Sequence, residues 1–384
     1  MSKRILVMML VFVLALTGCM GNISAEVESR LEGLPQISTN IEGFERAEGP
    51  PSFEFPRDHG PHPDFQTEWW YYTGNLEGAD GRRFGYQLTF FRRAVRPAAE
   101  RIARESDWSA EQIYLAHFAF ADVSGGKFHA FERFERGAAG LAGASVDPLY
   151  RVWLHDWQVE QTGGDTFDLQ AQAGEVALAL TLTDRKGIIL QGDRGYSRKG
   201  AEPGNASLYY SQTRLESTGT ITVAGETIPV TGLSWLDREI STSVLSEGQV
   251  GWDWFAIQLD DGSEMMLFHI RNKDGSIAEY SQGTFIAPDG TTTPLTREDF
   301  TLTPEATWRS PHSGGVYPSR WRVQVPGQNI DLRVEPLLAD QELQVSVIYW
   351  EGAVRISGTR GGEQVNGYGY TELTGYAQSL EGDV

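Results

Sequence analysis

Asp237 closes the run Leu233-Ser234-Trp235-Leu236-Asp237, which reads as a strand carrying Leu233, Trp235 and Asp237 on one face. A carboxyl lining an apolar cavity holds its proton above the usual carboxylate range and can donate it. Arg238 alternates to the other face, so it need not neutralise Asp237, which is the candidate acid. Glu68 leads a second aromatic strand, Glu68-Trp69-Trp70-Tyr71-Tyr72, and shares a face with Trp70 and Tyr72. Burying a carboxylate alone is costly, so Glu68 must be paired or lie at a cavity mouth. A structural ion pair and a catalytic role are equally open for it. Trp252-Asp253-Trp254 sets two indoles on one side and Asp253 on the other, and Tyr209, Tyr210 and Glu372 add polar-tipped surface. Any one of these is most simply core. Together with Trp235 they read as the walls of a large apolar pocket holding a few polar groups, with Tyr210 as a further catalytic candidate.

Asp58-His59-Gly60-Pro61-His62-Pro63-Asp64 places two imidazoles and two carboxylates close together. Prolines flank His62 and no third histidine has suitable spacing, so hydrogen-bonded turn residues are the favoured reading. If functional, His59 and His62 would position a ligand or move protons near neutral pH. The glycines at Gly358, Gly361, Gly362 and Gly367 lack the strand-to-helix setting of a phosphate loop. No Gly-x-Ser-x-Gly elbow occurs, and a single cysteine excludes zinc fingers. The chemistry is expected to need no metal or cofactor.

Positioning such residues falls to strands. Eleven Trp, 14 Tyr, 18 Phe and 43 Gly favour β-sheet with tight turns. Hairpins are expected for Glu68–Leu76 with Phe84–Phe91, Ala116–Val123 with Lys127–Phe134, and Phe167–Gln172 with Val176–Asp184. Gly219–Val223 with Thr227–Leu233 and Trp252–Leu259 with Met265–Arg271 continue the series, which Leu343–Tyr349, Ala353–Gly358 and Gly367–Leu373 close. Only Pro97 to Gln112 carries a helical pattern. The expected class is all-β, a sandwich or barrel. A weak echo between Glu68–Arg92 and Trp252–Arg271 suggests two similar halves meeting near residue 205, in the glycine-rich stretch from Gly192.

Lys3 and Arg4, an apolar run from Ile5 to Leu16, and Thr17-Gly18 before Cys19 describe a secretory signal too short to span a bilayer comfortably. Leu16-Thr17-Gly18-Cys19 resembles a bacterial lipobox, which implies acylation of Cys19, cleavage after residue 18, and a protein held in the cell envelope. Neither Met20 nor Gly21 is the aspartate that commonly retains such proteins at the inner membrane, so the expected location is the outer membrane, facing the periplasm. Residues 19–50 read as a lipidated, flexible tether. Losing Lys3 and Arg4 with the signal takes the net charge from −20 to −22, which argues against nucleic acid as a partner.

Phe55–Gly60 through Glu68–Gly74, Tyr209–Leu215, Gly232–Asp237, Gly251–Trp254 and Tyr349–Ala353, in this order, resemble the AttH-like family, related to carotenoid 1,2-hydratases. The resemblance spans about residues 50 to 380. It implies two lipocalin-like antiparallel β-barrels of calycin type, here 51–205 and 206–384, and an association with ABC export systems. The hydratases add water to a terminal carbon–carbon double bond without a cofactor, and their catalytic aspartate follows an aromatic residue by two positions, as Asp237 follows Trp235. Trp235 and Arg238-Glu239 depart from the hydratase pattern and side with the AttH-like branch. The leading expectation is therefore an envelope lipoprotein that binds a long apolar, lipid- or isoprenoid-like molecule. The alternative is a hydratase or hydrolase acting on such a molecule, with Asp237 as acid. A purely structural partner of an export complex is a third reading, and would need no cavity.

Overall fold

Strand Val176–Asp184 hides Val176, Leu178, Leu180 and Leu182 and exposes the residues between, the signature of one wet and one dry sheet face. Such alternation dominates the molecule, whose computed structural model describes residues 41–101, 110–242 and 245–380. Cys19 and the signal segment lie outside the described residues. So does most of the expected helix, of which Ala98–Glu100 forms a 3₁₀ turn while Gln112 opens a strand.

The first sheet contains β1 (Thr67–Gly78), β2 (Arg83–Ala94), β3 (Gln112–Asp122), β4 (Lys127–Arg136), β5 (Ala142–Ser145), β6 (Arg151–Leu154) and β7 (Trp157–Gly163). It continues with β8 (Thr166–Ala173), β9 (Val176–Asp184), β10 (Ile188–Leu190), β11 (Tyr196–Arg198), β12 (Ala206–Val223) and β13 (Glu226–Ser241). Its order is β4-β3-β2-β1-β13-β12-β9-β8-β7-β6-β5, with β10 and β11 on β12. The second sheet contains β14 (Gln249–Leu259), β15 (Glu264–Asn272), β16 (Gln282–Ile286), β17 (Thr292–Thr296) and β18 (Thr301–Arg309). β19 (Val316–Val325), β20 (Ile330–Pro336), β21 (Glu342–Gln344), β22 (Ile348–Arg360) and β23 (Glu363–Leu373) complete it. Its order is β17-β16-β15-β14-β23-β22-β20-β19-β18, with β21 on β22. All pairings of the named strands are antiparallel.

Each sheet curls so that strands distant in its order pack across an enclosed core. In the first, Phe118 on β3 meets Trp157 on β7 edge-to-face at 5.6 Å, and the Arg133 guanidinium on β4 covers the same indole at 4.2 Å. In the second, Phe255 on β14 meets Trp321 on β19 at 5.2 Å. The expected all-β architecture of two lipocalin-like barrels is the observed one. The change of sheet falls between Ser241 and Gln249, not near residue 205, because β12 and β13 pair with β9 and β1 and so complete the first barrel. Glu45 and Ala47, expected within the tether, instead pack on the first barrel. The Glu45 N–H donates to Asp64 O at 2.9 Å, and Ala47 is buried with Phe65, Ala206 and Ile240.

From Ser234 to Ser241 β13 is buried on both faces, as is β1 from Trp70 to Leu76. One face of each closes the first barrel. The other packs on the second barrel, where a Cβ on Gly85 would come within 2.5 Å of the Ala353 Cβ. This shared wall carries the polar residues described below.

The β12–β13 turn is Ala224-Gly225, with φ of 50° and 81°. Two positive φ values define the hairpin turn that favours Asn-Gly, and alanine is strained there. Ala224→Asn should stabilise the protein by about 1 kcal/mol, read from urea midpoints; an unchanged or lower midpoint contradicts this.

Candidate active site

Alternation sorts the sequence-selected residues into two groups on opposite faces of the same strands. On the inward face of the first barrel, Glu68 receives Arg92 on one oxygen and Arg238 on the other, and the His62 N–H donates to both at 3.0 and 3.1 Å. Arg92 also donates to the His62 and Phe65 carbonyls at 2.9 Å, and Arg238 to the Gly60 carbonyl at 2.7 Å while lying 4.0 Å from the Trp70 ring. Burial would raise the Glu68 carboxyl, but the two guanidinium groups hold it far below the usual range. His59 Nδ1 lies 2.8 Å from the Tyr210 hydroxyl, and the Tyr72 and Tyr150 hydroxyls are 3.1 Å apart. Burial, then Arg238, pushes His59 down to about 4, so its imidazole is neutral at neutral pH. The Asp58–Asp64 loop is thus a hydrogen-bonded plug. Among the described residues no group of three or more acids and histidines is placed to hold a metal ion.

On the outward face, in the shared wall, lies Asp237. Its Oδ1 accepts from Ser211 Oγ at 2.5 Å and Trp235 Nε1 at 2.7 Å, and its Oδ2 accepts from the Tyr209 hydroxyl. Trp254 Nε1 donates to that hydroxyl at 3.3 Å, and Gln191 donates to Ser211 at 2.8 Å. The Trp254 ring stands edge-on to Tyr71 at 5.2 Å and to Trp235 at 6.5 Å. Burial raises Asp237 to about 7 despite its three donors. Lys199, the nearby cation, serves Glu239 at 3.3 Å instead.

Across from β13, Glu351 on β22 and Glu372 on β23 stand directly opposite each other. Like charges so placed repel, and Glu351 is fully buried. Burial first, then the charge of Glu372, raises Glu351 well above its usual value. Burial, then Glu239 and Asp237, raises Glu372 despite the Trp252 indole beside it. The pair retains a proton at neutral pH. The Tyr71 and Tyr349 phenols border Glu351, yet no hydrogen bond of good geometry reaches either of its oxygens. Trp69, Trp252 and Glu372 are only partly buried, so this side of the cluster is the one nearest solvent.

The structure therefore brings together Asp237, Tyr209, Trp235, Trp252, Trp254 and Glu372. It sets apart Glu68, His59, His62, Trp70, Tyr72 and Tyr210, which belong to the first barrel's interior. Asp253 faces the second barrel, where Arg271 lies at 3.2 Å and the Tyr376 hydroxyl donates at 2.8 Å; burial, opposed by Arg271, raises it to about 6. Sequence reasoning missed Glu351, Ser211 and Tyr71 as site residues. Glu351 could have been found from Tyr349-Trp350-Glu351, where alternation gives Tyr349 and Glu351 one face. A separate open groove of about 690 Å³ follows the same interface at Asn75, Leu233, Gln258 and Tyr368, and does not include Asp237.

Two curled antiparallel sheets sharing a wall define a lipocalin-like double-barrel protein with a cluster of buried acids in that wall. Residues 46–376 match the AttH-like family, and the chain belongs to it. A crystal structure from Nitrosomonas europaea described as an AttH is 37% identical, with a TM-score of 0.75 over 87% of this chain and 100% of that one. Kievitone hydratase from Nectria haematococca is 15% identical, with a TM-score of 0.65 over 89% and 97%, a likeness of fold. Comparison with curated protein sequences gave no match.

Proposed function

We propose that this protein is a cofactor-independent hydratase that adds water to a carbon–carbon double bond of a long apolar, isoprenoid-like molecule. The observation that carries this is Asp237: a carboxyl that keeps its proton to about pH 7, unpaired with any cation among the described residues, within a buried aromatic cluster. As its proton leaves, the carboxylate formed meets the donors Tyr209, Ser211 and Trp235, already in place. The faces of Trp235, Trp254 and Tyr71 suit the carbocation that protonation creates. The Glu351–Glu372 pair takes the proton released by the attacking water. A protein of the same fold bears the name hydratase, which supports the scaffold's fitness for the reaction. The reading includes the envelope location: with Cys19 acylated, the barrels sit at a membrane, where an apolar substrate partitions, beside the export system expected from the family.

The test is incubation of the purified protein with acyclic isoprenoids bearing a terminal double bond, in oxygen-labelled water. A tertiary alcohol carrying the label is the expected product. Tight binding without label incorporation would overturn hydration and favour a carrier of the same molecules.

A further inference from the structure

Behind Glu351 a chain of hydrogen-bonding side chains leaves the chamber for the surface. Tyr349 lies two residues before Glu351 on the same face of β22, and its phenol borders the Glu351 carboxyl without a hydrogen bond to it, so the two must close on each other for a proton to pass. The Tyr349 hydroxyl is 2.8 Å from His117 Nδ1 on β3. His117 Nε2 is 3.1 Å from Glu132 Oε2 on β4. The Glu132 carboxylate also accepts from the N–H of Ser346 at 3.1 Å and from its hydroxyl. Accessibility rises at the far end: Glu351, Tyr349 and His117 are buried, the Glu132 side chain is 25% exposed, and Ser346 is exposed. The path joins both barrels, and Phe91 packs edge-on against the His117 ring at 5.3 Å, holding it in place.

The surroundings fix the direction of each bond. Burial would raise the Glu132 carboxyl, but bonds from His117 and Ser346 outweigh it and lower its pKa. Glu132 is therefore an acceptor, so His117 Nε2 carries the hydrogen and Nδ1 accepts from the Tyr349 hydroxyl. That hydroxyl oxygen then has a lone pair free for a proton from Glu351.

We propose that Tyr349, His117 and Glu132 form a proton path that connects Glu351 with solvent by a route that avoids the chamber mouth. In the outward direction the Glu351 proton passes to the Tyr349 oxygen as the phenol's own proton moves to His117 Nδ1. The imidazolium passes its Nε2 proton to the Glu132 carboxylate, which is partly exposed and releases it to water. One proton leaves Glu351, one enters solvent, and His117 is left as the other tautomer. The inward sequence starts with a proton from water, passed through Glu132 to Nε2, and ends with one on Glu351, which restores the starting tautomer. Hydration consumes no net proton, but it leaves Asp237 ionised and the opposite carboxyl pair loaded. An apolar substrate or product standing in the mouth would exclude water from that side. A rear path keeps the pair in proton exchange with solvent while that side is dry.

The use of the path in turnover rests on the proposed hydration; its existence does not, and it is tested without substrate. Glu372 is partly open to solvent, so Glu372→Gln is the parent variant, leaving Glu351 as the reporter. Its carboxylic-acid C=O stretch in the infrared, assigned by its disappearance in Glu351→Gln/Glu372→Gln, should shift promptly on transfer to heavy water. Adding Tyr349→Phe should slow that shift about 10-fold or more, to the rate of local opening. Adding His117→Asn should slow it comparably, which serves if the phenylalanine variant does not fold. Exchange as fast as the parent's in either folded variant, or no band that Glu351→Gln removes, overturns the proposal. Normal path results with no labelled alcohol would overturn only the hydratase reading.

Discussion

In Asp237→Asn, turnover should fall by roughly 10²- to 10⁴-fold, the usual contribution of a positioned acid, while ligand binding and fold persist. The asparagine oxygen can still accept from Ser211 and Trp235. Its amide nitrogen, in place of Oδ2, can donate to the Tyr209 hydroxyl, which already accepts from Trp254. Shape and most of the hydrogen bonding survive, the Tyr209 O–H alone losing its acceptor; the transferable proton does not survive. The wild-type rate should fall as pH rises through about 7, where Asp237 loses that proton. Stability carries the same sign. A carboxyl whose folded pKa lies above its unfolded value of 3.8 binds more protons when folded, so stability declines between pH 4 and 7 as that advantage is lost. Asp237→Asn should remove this share of the decline and be at least as stable as wild type at pH 8. Retained turnover, or a large loss of stability at every pH, would remove Asp237 from the acid's role.

Much of the chamber was legible because alternation is local. Trp235 and Asp237 on one face with Arg238 on the other, and Trp252 with Trp254 opposite Asp253, follow from the two-residue period of a strand, and the structure keeps every one of these assignments. The hairpins were legible for the same reason, each being bounded by its own turn. What could not be read was which distant strands meet. Gly192 to Asn205 has the composition of a linker, yet β11 lies within it and β12 follows at once to close the first barrel. Glu351 faces Glu372 only because β22 and β23 pair in one particular register. His117 and Tyr349 lie 232 residues apart and touch because the barrels do. Strands β16 to β20 were not among the expected hairpins, although Pro288-Asp289-Gly290 marks the turn between β16 and β17. Binding ranked first while only composition spoke for the pocket. The uncompensated carboxyl at Asp237 is what moves hydration ahead of it.

Glu68 was open to two readings, and its neighbours select between them. Both oxygens are taken by buried guanidinium groups, and it sits on the face of β1 opposite the chamber. Removing one partner of such a group leaves uncompensated charge in a place water does not reach. Glu68→Gln should therefore cost about 3–5 kcal/mol in urea unfolding at pH 7. Arg92→Met should cost less, because Arg238 still neutralises Glu68, although one Glu68 oxygen, Gln112 Oε1 and the carbonyls of His62 and Phe65 lose a donor. The pH dependence separates this from simple loss of packing. A carboxyl whose folded pKa is depressed contributes stability above its unfolded value, here 4.5, and loses it as pH falls toward the folded value. Wild type should thus weaken on acidification below about pH 4.5, and Glu68→Gln should lack that share of the loss, so the two unfolding midpoints converge in acid. Since Asp237 faces the other way, Glu68→Gln that remains folded should keep the chamber's pH profile. A midpoint within about 1 kcal/mol of wild type, the worth of an exposed pair, would mean that water reaches Glu68. A shifted activity profile in a well-folded variant would instead return Glu68 to the reaction.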